Sequence, residues 1–123
     1  MSNFTADIAA FAKKTESTLD EASRAIKLAL FSGVIRDTRV RTGRLRGNWQ
    51  TSTGRPISTT TERLDPAGAS AIAEVSNNIT GSGVDYMTNN LSYSKTWEQR
   101  DGMVARNMAR IQRTVEEVAR GKR

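Results

Sequence analysis

Cysteine and histidine are both absent from the sequence. Without cysteine the chain can form neither a disulfide framework nor a thiolate nucleophile. Without histidine it lacks the most common general base and almost every set of zinc ligands, so Ser–His and Cys–His catalytic pairs are excluded. The carboxylates stand singly or as helix neighbours that point in different directions. We therefore expect a protein that is not an enzyme and that uses no cofactor and no metal.

Long apolar runs are also absent. No stretch approaches the length that spans a membrane, and the N-terminal segment MSNFTADIAAFAKK lacks the basic and apolar regions of a secretion signal. The sequence therefore predicts a soluble protein that is made in the cytoplasm and has no membrane partner.

An excess of positive charge is present, and it lies mainly in the first half of the chain. The 123 residues carry a formal net charge of +6, and residues 1–60 hold ten Lys or Arg against five acids. This balance favours acidic partners, either nucleic acid or an acidic protein surface. The length predicts a single domain over residues 1–123. Because only 37% of the residues are hydrophobic, we expect the chain to complete its burial by assembling with other chains.

Apolar residues recur every three or four positions in the N-terminal third of the chain. This period predicts one long amphipathic helix over about residues 4–36, with Ser2 or Asn3 as its N-cap. Gly33 is expected to be a weak point in that helix, because glycine costs about 1 kcal/mol relative to alanine.

The middle of the chain, residues 45–93, has the pattern of a small sheet. Alternation predicts one strand from Trp49 to Thr53, a second from Ala69 to Val75 and a third in VDYMTNN, residues 84–90. Residues 55–68 hold both prolines and a Ser/Thr run, which predicts a long exposed loop that becomes ordered on assembly.

A second amphipathic helix is predicted over residues 101–119, with Asp101 as its cap. Its apolar seam is Val104, Met108, Ile111, Val115 and Val118. Together these patterns predict an α+β fold: a long N-terminal helix, a small antiparallel sheet of about three to four strands, and a C-terminal helix packed on the sheet.

Five arginines crowd into eleven residues just before Trp49: Arg36, Arg39, Arg41, Arg44 and Arg46. A solvated turn, a contact to an acidic protein and a contact to the DNA backbone are three interpretations that stay open. The use of arginine favours specific pairing with carboxylate or phosphate, because the guanidinium group binds in a bidentate manner. The stretches TGRLRG and TGSG lack the spacing of phosphate loops, so nucleotide binding is not expected. The aromatic residues Trp49, Trp97, Tyr86 and Tyr93 fit either core positions or platforms for stacked bases.

Three short motifs follow one another along the chain. The first, VRTGRLRGNW, includes Thr42, Gly43, Leu45, Arg46 and Trp49; the second, YMTNNLSYSKTWEQ, includes Thr88, Asn89, Asn90, Tyr93 and Glu98; the third, DGMV, includes Gly102, Met103 and Val104. In type and order these motifs resemble those of the head–tail joining and tail-completion proteins of long-tailed bacteriophages.

The resemblance implies a non-enzymatic structural protein of the virion neck, made in the cytoplasm of the bacterial host. Copies of the chain would form a ring, a hexamer or a dodecamer, that contacts neighbouring neck and tail proteins and surrounds double-stranded DNA. Thr42 and Gly43 would form the turn between helix and sheet, Leu45 and Trp49 would anchor the core, and the arginines between them would face a partner subunit or DNA. The alternative is a small basic DNA-binding protein, although the sequence contains no helix-turn-helix pattern.

Overall fold

The secondary structure combines several helices with a small sheet. The computed structural model describes residues 4–121 and contains, over that range, six helices and one two-stranded antiparallel sheet. In chain order the elements are α1 (Phe4–Lys14), α2 (Leu19–Asp37), α3 (Arg44–Gly47), β1 (Trp49–Thr53), α4 (Ala69–Asn78), β2 (Asp85–Asn89), α5 (Ser94–Asp101) and α6 (Met103–Ala119). The mixed helix-and-sheet class is confirmed, but three to four strands are not found.

Helix α2 is the central element, with different neighbours on its two faces. Gly33, on one face, lies against Asn107 of α6, and α1 packs beside α6 on the same side. On the other face, Arg24 donates a hydrogen bond to the Ser76 carbonyl at the end of α4, and β1 packs against α4. The fold therefore has a helical layer on one side of α2 and a layer of helix and sheet on the other.

The predicted single helix over residues 4–36 is wrong: residues 15–18 separate α1 from α2. Glu16 has a φ of 55°, which ends α1. Thr18 then caps α2, because its hydroxyl accepts a hydrogen bond from the Glu21 N–H and its own N–H donates to the Glu21 carboxylate. This reciprocal capping box starts a new helix, so that α1 can fold back against α2. The expected caps, Ser2 and Asn3, lie outside the described residues.

Helix α2 continues through Gly33 to Asp37. A Cβ atom at this position would overlap the side-chain oxygen of Asn107. Glycine is therefore the residue that allows α2 and α6 to approach each other here.

The predicted second strand from Ala69 to Val75 is also wrong, because this segment is helix α4. Ala71, Val75 and the following Ile79 are buried at a spacing of four residues, which is a helical face. Asp65 supports the start of the helix, since its carboxylate accepts a hydrogen bond from the Ala71 N–H at 2.8 Å.

The two strands confirm the first and third predicted strands. They pair from Trp49 opposite Asn89 to Thr53 opposite Asp85. Residues 55–68 contain neither helix nor strand, as predicted. Arg63 nevertheless fixes this loop to the sheet, because it donates hydrogen bonds to the carbonyls of Gly47 and Trp49.

Helix α6 begins at Met103, two residues later than predicted, and it packs mainly on α1 and α2. Its N-terminal end, at Met103, joins the core cluster that contains Trp49 of β1. Its buried residues are Met103, Asn107 and Val115, whereas Met108 of the predicted seam is 57% exposed. The buried face is displaced because Asn107, which donates a hydrogen bond to Asp37 at 2.9 Å, lies opposite Gly33.

Membrane-spanning character is not found in any helix between residues 4 and 121, since none combines the required length with sufficient apolarity.

Candidate functional site

A cleft of about 430 Å³ opens between the segment that follows α2 and helix α5. Its lining residues are Arg39, Arg41, Thr42, Arg44, Leu45, Tyr93 and Trp97. We call it the arginine cleft. It brings three arginines of the cluster together with two aromatic residues that lie far away in the sequence.

The floor of the arginine cleft is set by a turn at Gly43 that leads into α3. Gly43 has a φ of 90°, and a Cβ atom there would overlap the backbone of Pro66. Only glycine fits both demands. The chain turns at Gly43, and it leads first into α3 and only then into β1. Leu45 on α3 is 7% exposed and forms the apolar floor.

One rim of the cleft is fixed by Arg39. Its guanidinium group lies 3.8 Å from the centroid of the Trp97 ring and donates hydrogen bonds of 2.8 and 2.9 Å to the two carboxylate oxygens of Asp101. The hydrogen bond to Asp101 raises the pKa of Arg39, and the same bond lowers the pKa of Asp101. Since Trp97 and Asp101 both belong to α5, these contacts hold that helix beside the cleft. Because Asp101 neutralises Arg39, this arginine adds little net charge to the cleft.

The other two arginines of the cleft have unpaired charges. Arg41 is exposed, and it takes part in none of the ion pairs formed within residues 4–121. Arg44 is partly buried, and its Nε lies out of contact with solvent and without a hydrogen-bond acceptor among the described protein atoms. Neither guanidinium group therefore has its charge paired with a carboxylate of residues 4–121.

The remaining two arginines of the cluster lie outside the cleft. The Arg46 guanidinium donates hydrogen bonds to the carbonyls of Arg36, Thr38 and Pro66, at 2.7 to 3.2 Å. It thereby ties the C-terminal end of α2 to the loop before α4. Arg36 is exposed on the last turn of α2. The cluster, one stretch in the sequence, is divided in space into three cleft residues, one structural residue and one surface residue.

The other motif residues join the two layers of the fold. Trp49 is 6% exposed and donates its indole N–H to the Thr38 hydroxyl at 2.8 Å, and the same hydroxyl lies 3.3 Å from the Met103 sulfur. The Asn89 side chain donates to the Leu45 carbonyl at 2.8 Å.

The last part of the second motif leads into the third. The Glu98 carboxylate accepts hydrogen bonds from the N–H groups of Val104 and Ala105, at 2.8 and 3.1 Å, and so caps α6. Gly102, between α5 and α6, has a φ of 63°. Asn90 is exposed and donates to the Ile57 and Thr59 carbonyls of the long loop.

Several residues that build the site were not identified from the sequence. Thr38 is fully buried at the centre of the junction, and Asp101 fixes the cleft rim through Arg39. Thr38 has no distinguishing sequence pattern. The charge of Asp101 opposite an arginine cluster could have indicated a pair, but not which arginine it binds.

A second, apolar groove of about 280 Å³ lies on the helical layer. Its lining residues are Phe4, Ile26, Leu30, Met108, Ile111 and Gln112. No cluster of three or more acidic side chains able to hold a metal ion occurs within residues 4–121.

No protein-family model, curated protein or solved structure matches this chain.

Proposed function

We propose that the chain is a non-enzymatic structural protein of the bacteriophage neck that joins head to tail as one subunit of a ring. The observation that carries the proposal is that the three motifs with the family resemblance, separated along the sequence, form one connected unit.

Each step of that unit is a specific contact. Asn89 of the second motif holds the backbone of Leu45 in the first, and Trp49 reaches Met103 of the third through Thr38. These contacts between the three motifs support the proposal, because residues that hold different elements together depend on one another.

A ring also needs two different surfaces on each subunit, because one surface of each copy contacts the other surface of the next copy. The arginine cleft and the apolar groove are two such surfaces, and they differ in chemistry. The low hydrophobic content of 37% is compatible with a subunit that buries further surface on assembly.

The experiment is to measure the mass of the purified protein in solution by native mass spectrometry, and to image particles of the encoding phage with and without this chain. We expect a ring, either hexamer or dodecamer, and separate heads and tails when the chain is missing. Arg41→Glu with Arg44→Glu should leave heads and tails intact but reduce their joining, because like charges at an interface reject the partner. Normal joining without the chain would overturn the proposal.

The second candidate is a small basic DNA-binding protein. The unpaired Arg41 and Arg44 and the net charge of +6 favour it. Such binding would weaken steeply with salt, because phosphate contacts release counterions. Duplex binding by the isolated subunit, measured by fluorescence anisotropy at several salt concentrations, tests this candidate.

A further inference from the structure

We infer that the arginine cleft binds an acidic segment of a neighbouring protein, which inserts one apolar side chain above Leu45 and places its carboxylates on Arg41 and Arg44. This inference rests on the proposed function, because it specifies the partner that the neck surface would take.

The polar side of the cleft supports this ligand class. Arg44 lines the cleft and takes part in none of the ion pairs formed within residues 4–121. Arg41 lines the same cleft and is exposed, so two guanidinium groups are available for bidentate binding of carboxylates.

The apolar side of the cleft selects a peptide over duplex DNA. Leu45 forms the floor, Tyr93 is 40% exposed, and the Trp97 ring lines the wall. A volume of about 430 Å³ lies within the range of clefts that enclose small ligands or side chains. A DNA duplex presents a convex row of phosphates and keeps its bases paired, so it would leave Leu45 and Tyr93 uncovered.

The cleft is also held in shape before any ligand binds. The ion pair of Arg39 with Asp101 and its stacking on Trp97 fix the rim, which reduces the ordering cost of association. Since Asp101 neutralises Arg39, selectivity for acidic ligands depends on Arg41 and Arg44. The net charge of +6 would increase the association rate with an acidic partner.

The test uses the full chain and three probes: short synthetic peptides with a pair of glutamates beside one leucine or phenylalanine, matched peptides with glutamines in place of the glutamates, and a short DNA duplex. Calorimetry gives the affinities. In ¹H–¹⁵N spectra the indole N–H signal of Trp97 reports on the cleft, and that of buried Trp49 is the internal control.

We expect the glutamate peptides to bind and to shift the Trp97 signal but not that of Trp49. Arg41→Gln with Arg44→Gln should weaken binding roughly 10- to 100-fold, the effect of removing hydrogen bonds to a charged group. The control, Arg55→Gln with Arg113→Gln, removes the same charge from two exposed positions and should weaken it about threefold or less. If the double variant is unstable, Arg41→Gln alone replaces it in the test, because this substitution is at an exposed position.

Equal binding of glutamate and glutamine peptides, or an equal loss in both double variants, would overturn the inference. The inference would also be overturned if no peptide bound while the DNA duplex bound and needed Arg41 and Arg44. That result would favour the DNA-binding candidate. If heads and tails fail to join without the chain but no peptide binds, only the inference fails and the neck function stands.

Discussion

Gly33 on α2 faces Asn107 on α6 so closely that a methyl group on Gly33 would overlap the Asn107 side-chain oxygen. Asn107 cannot easily move away, because it is 2% exposed and donates hydrogen bonds to Asp37 and to the Met103 carbonyl, at 2.9 and 2.7 Å. The contact therefore fixes the distance between the two helices.

Gly33→Ala tests this contact. In an unhindered helix the change stabilises by up to about 1 kcal/mol, but here we expect it to lower the free energy of unfolding by about 1–3 kcal/mol because of overpacking. Urea denaturation measures the effect. In a double-mutant cycle with Asn107→Ala, the double variant should lose less than the sum of the single losses. A Gly33→Ala protein more stable than the wild type would contradict the contact.

Trp49 is expected to be essential for stability. Trp49→Ala should lower the free energy of unfolding by about 3–5 kcal/mol, because a large buried aromatic side chain is removed. Thr38→Val should cost about 1–2 kcal/mol, since the Trp49 indole N–H loses its acceptor. Thermal and chemical denaturation give both values. A loss of less than about 1 kcal/mol for Trp49→Ala would mean that Trp49 does not belong to the core.

Arg46 and Arg41 should respond differently to the same substitution. Arg46→Gln removes hydrogen bonds to the carbonyls of Arg36, Thr38 and Pro66, and we expect a loss of about 1.5–3 kcal/mol in stability. Arg41→Gln, at an exposed position, should change stability by less than about 0.5 kcal/mol. Chemical denaturation measures the free energy of unfolding of both variants. Equal losses of this free energy would show that the cluster is not divided into structural and free arginines.

Asp85 should make the fold sensitive to acid. Burial alone raises its pKa, but hydrogen bonds from Lys27, the Thr80 N–H and Thr53 outweigh burial and lower the pKa from 3.8 to about 2. Since the pKa is lower in the folded state, the stabilisation is complete above about pH 4 and is lost as the pH falls toward 2.

The expected contribution of Asp85 is of the order of 1–2 kcal/mol. In urea denaturation between pH 5 and 2, the free energy of unfolding of Asp85→Asn should fall less steeply with decreasing pH than that of the wild type. Glu62→Gln, which removes an exposed carboxylate, is the matched control. An unchanged profile in Asp85→Asn would contradict the pKa assignment.

Val115 and Met108 distinguish the buried from the open face of α6. Val115 is 1% exposed and Met108 57%. Val115→Ala should cost about 2 kcal/mol, and Met108→Ala less than about 0.5 kcal/mol in the isolated subunit. Thermal melts measure both changes. A larger loss of stability for Met108→Ala than for Val115→Ala would mean that Met108 lies on the buried face, as the sequence predicted.

The break between α1 and α2 illustrates what periodicity conceals. Phe11 and Leu19 are eight residues apart, so the helical period of the apolar residues continues across the polar residues 15–18. The local signal for the break is Thr18 followed three residues later by Glu21, which is the pattern of a capping box.

The segment from Ala69 to Val75 has two patterns at once. Alanine at every second position imitates a half-buried strand, whereas Ala71, Val75 and Ile79 have the spacing of a helical face. Alanine favours helices and is depleted in strands, so propensity was the better guide here.

The residues of the site were largely identifiable from the sequence, but their grouping was not. The motif residues and the arginine cluster stand out by type. Which arginines share the cleft with Tyr93 and Trp97 depends on the turn at Gly43 and on Asp101, and these are tertiary relationships that spacing along the chain does not encode.

Helix α5, which carries Trp97, contains no buried residue, and a single left-handed residue, Gly102, connects it to α6. A helix with so little burial opens locally at a much smaller free energy than the core helices. Its amide hydrogens should therefore exchange with solvent while α2 and α6 stay protected. Between openings the ion pair of Arg39 with Asp101 keeps α5 in its place beside the cleft, and a ligand in the cleft should slow the exchange further.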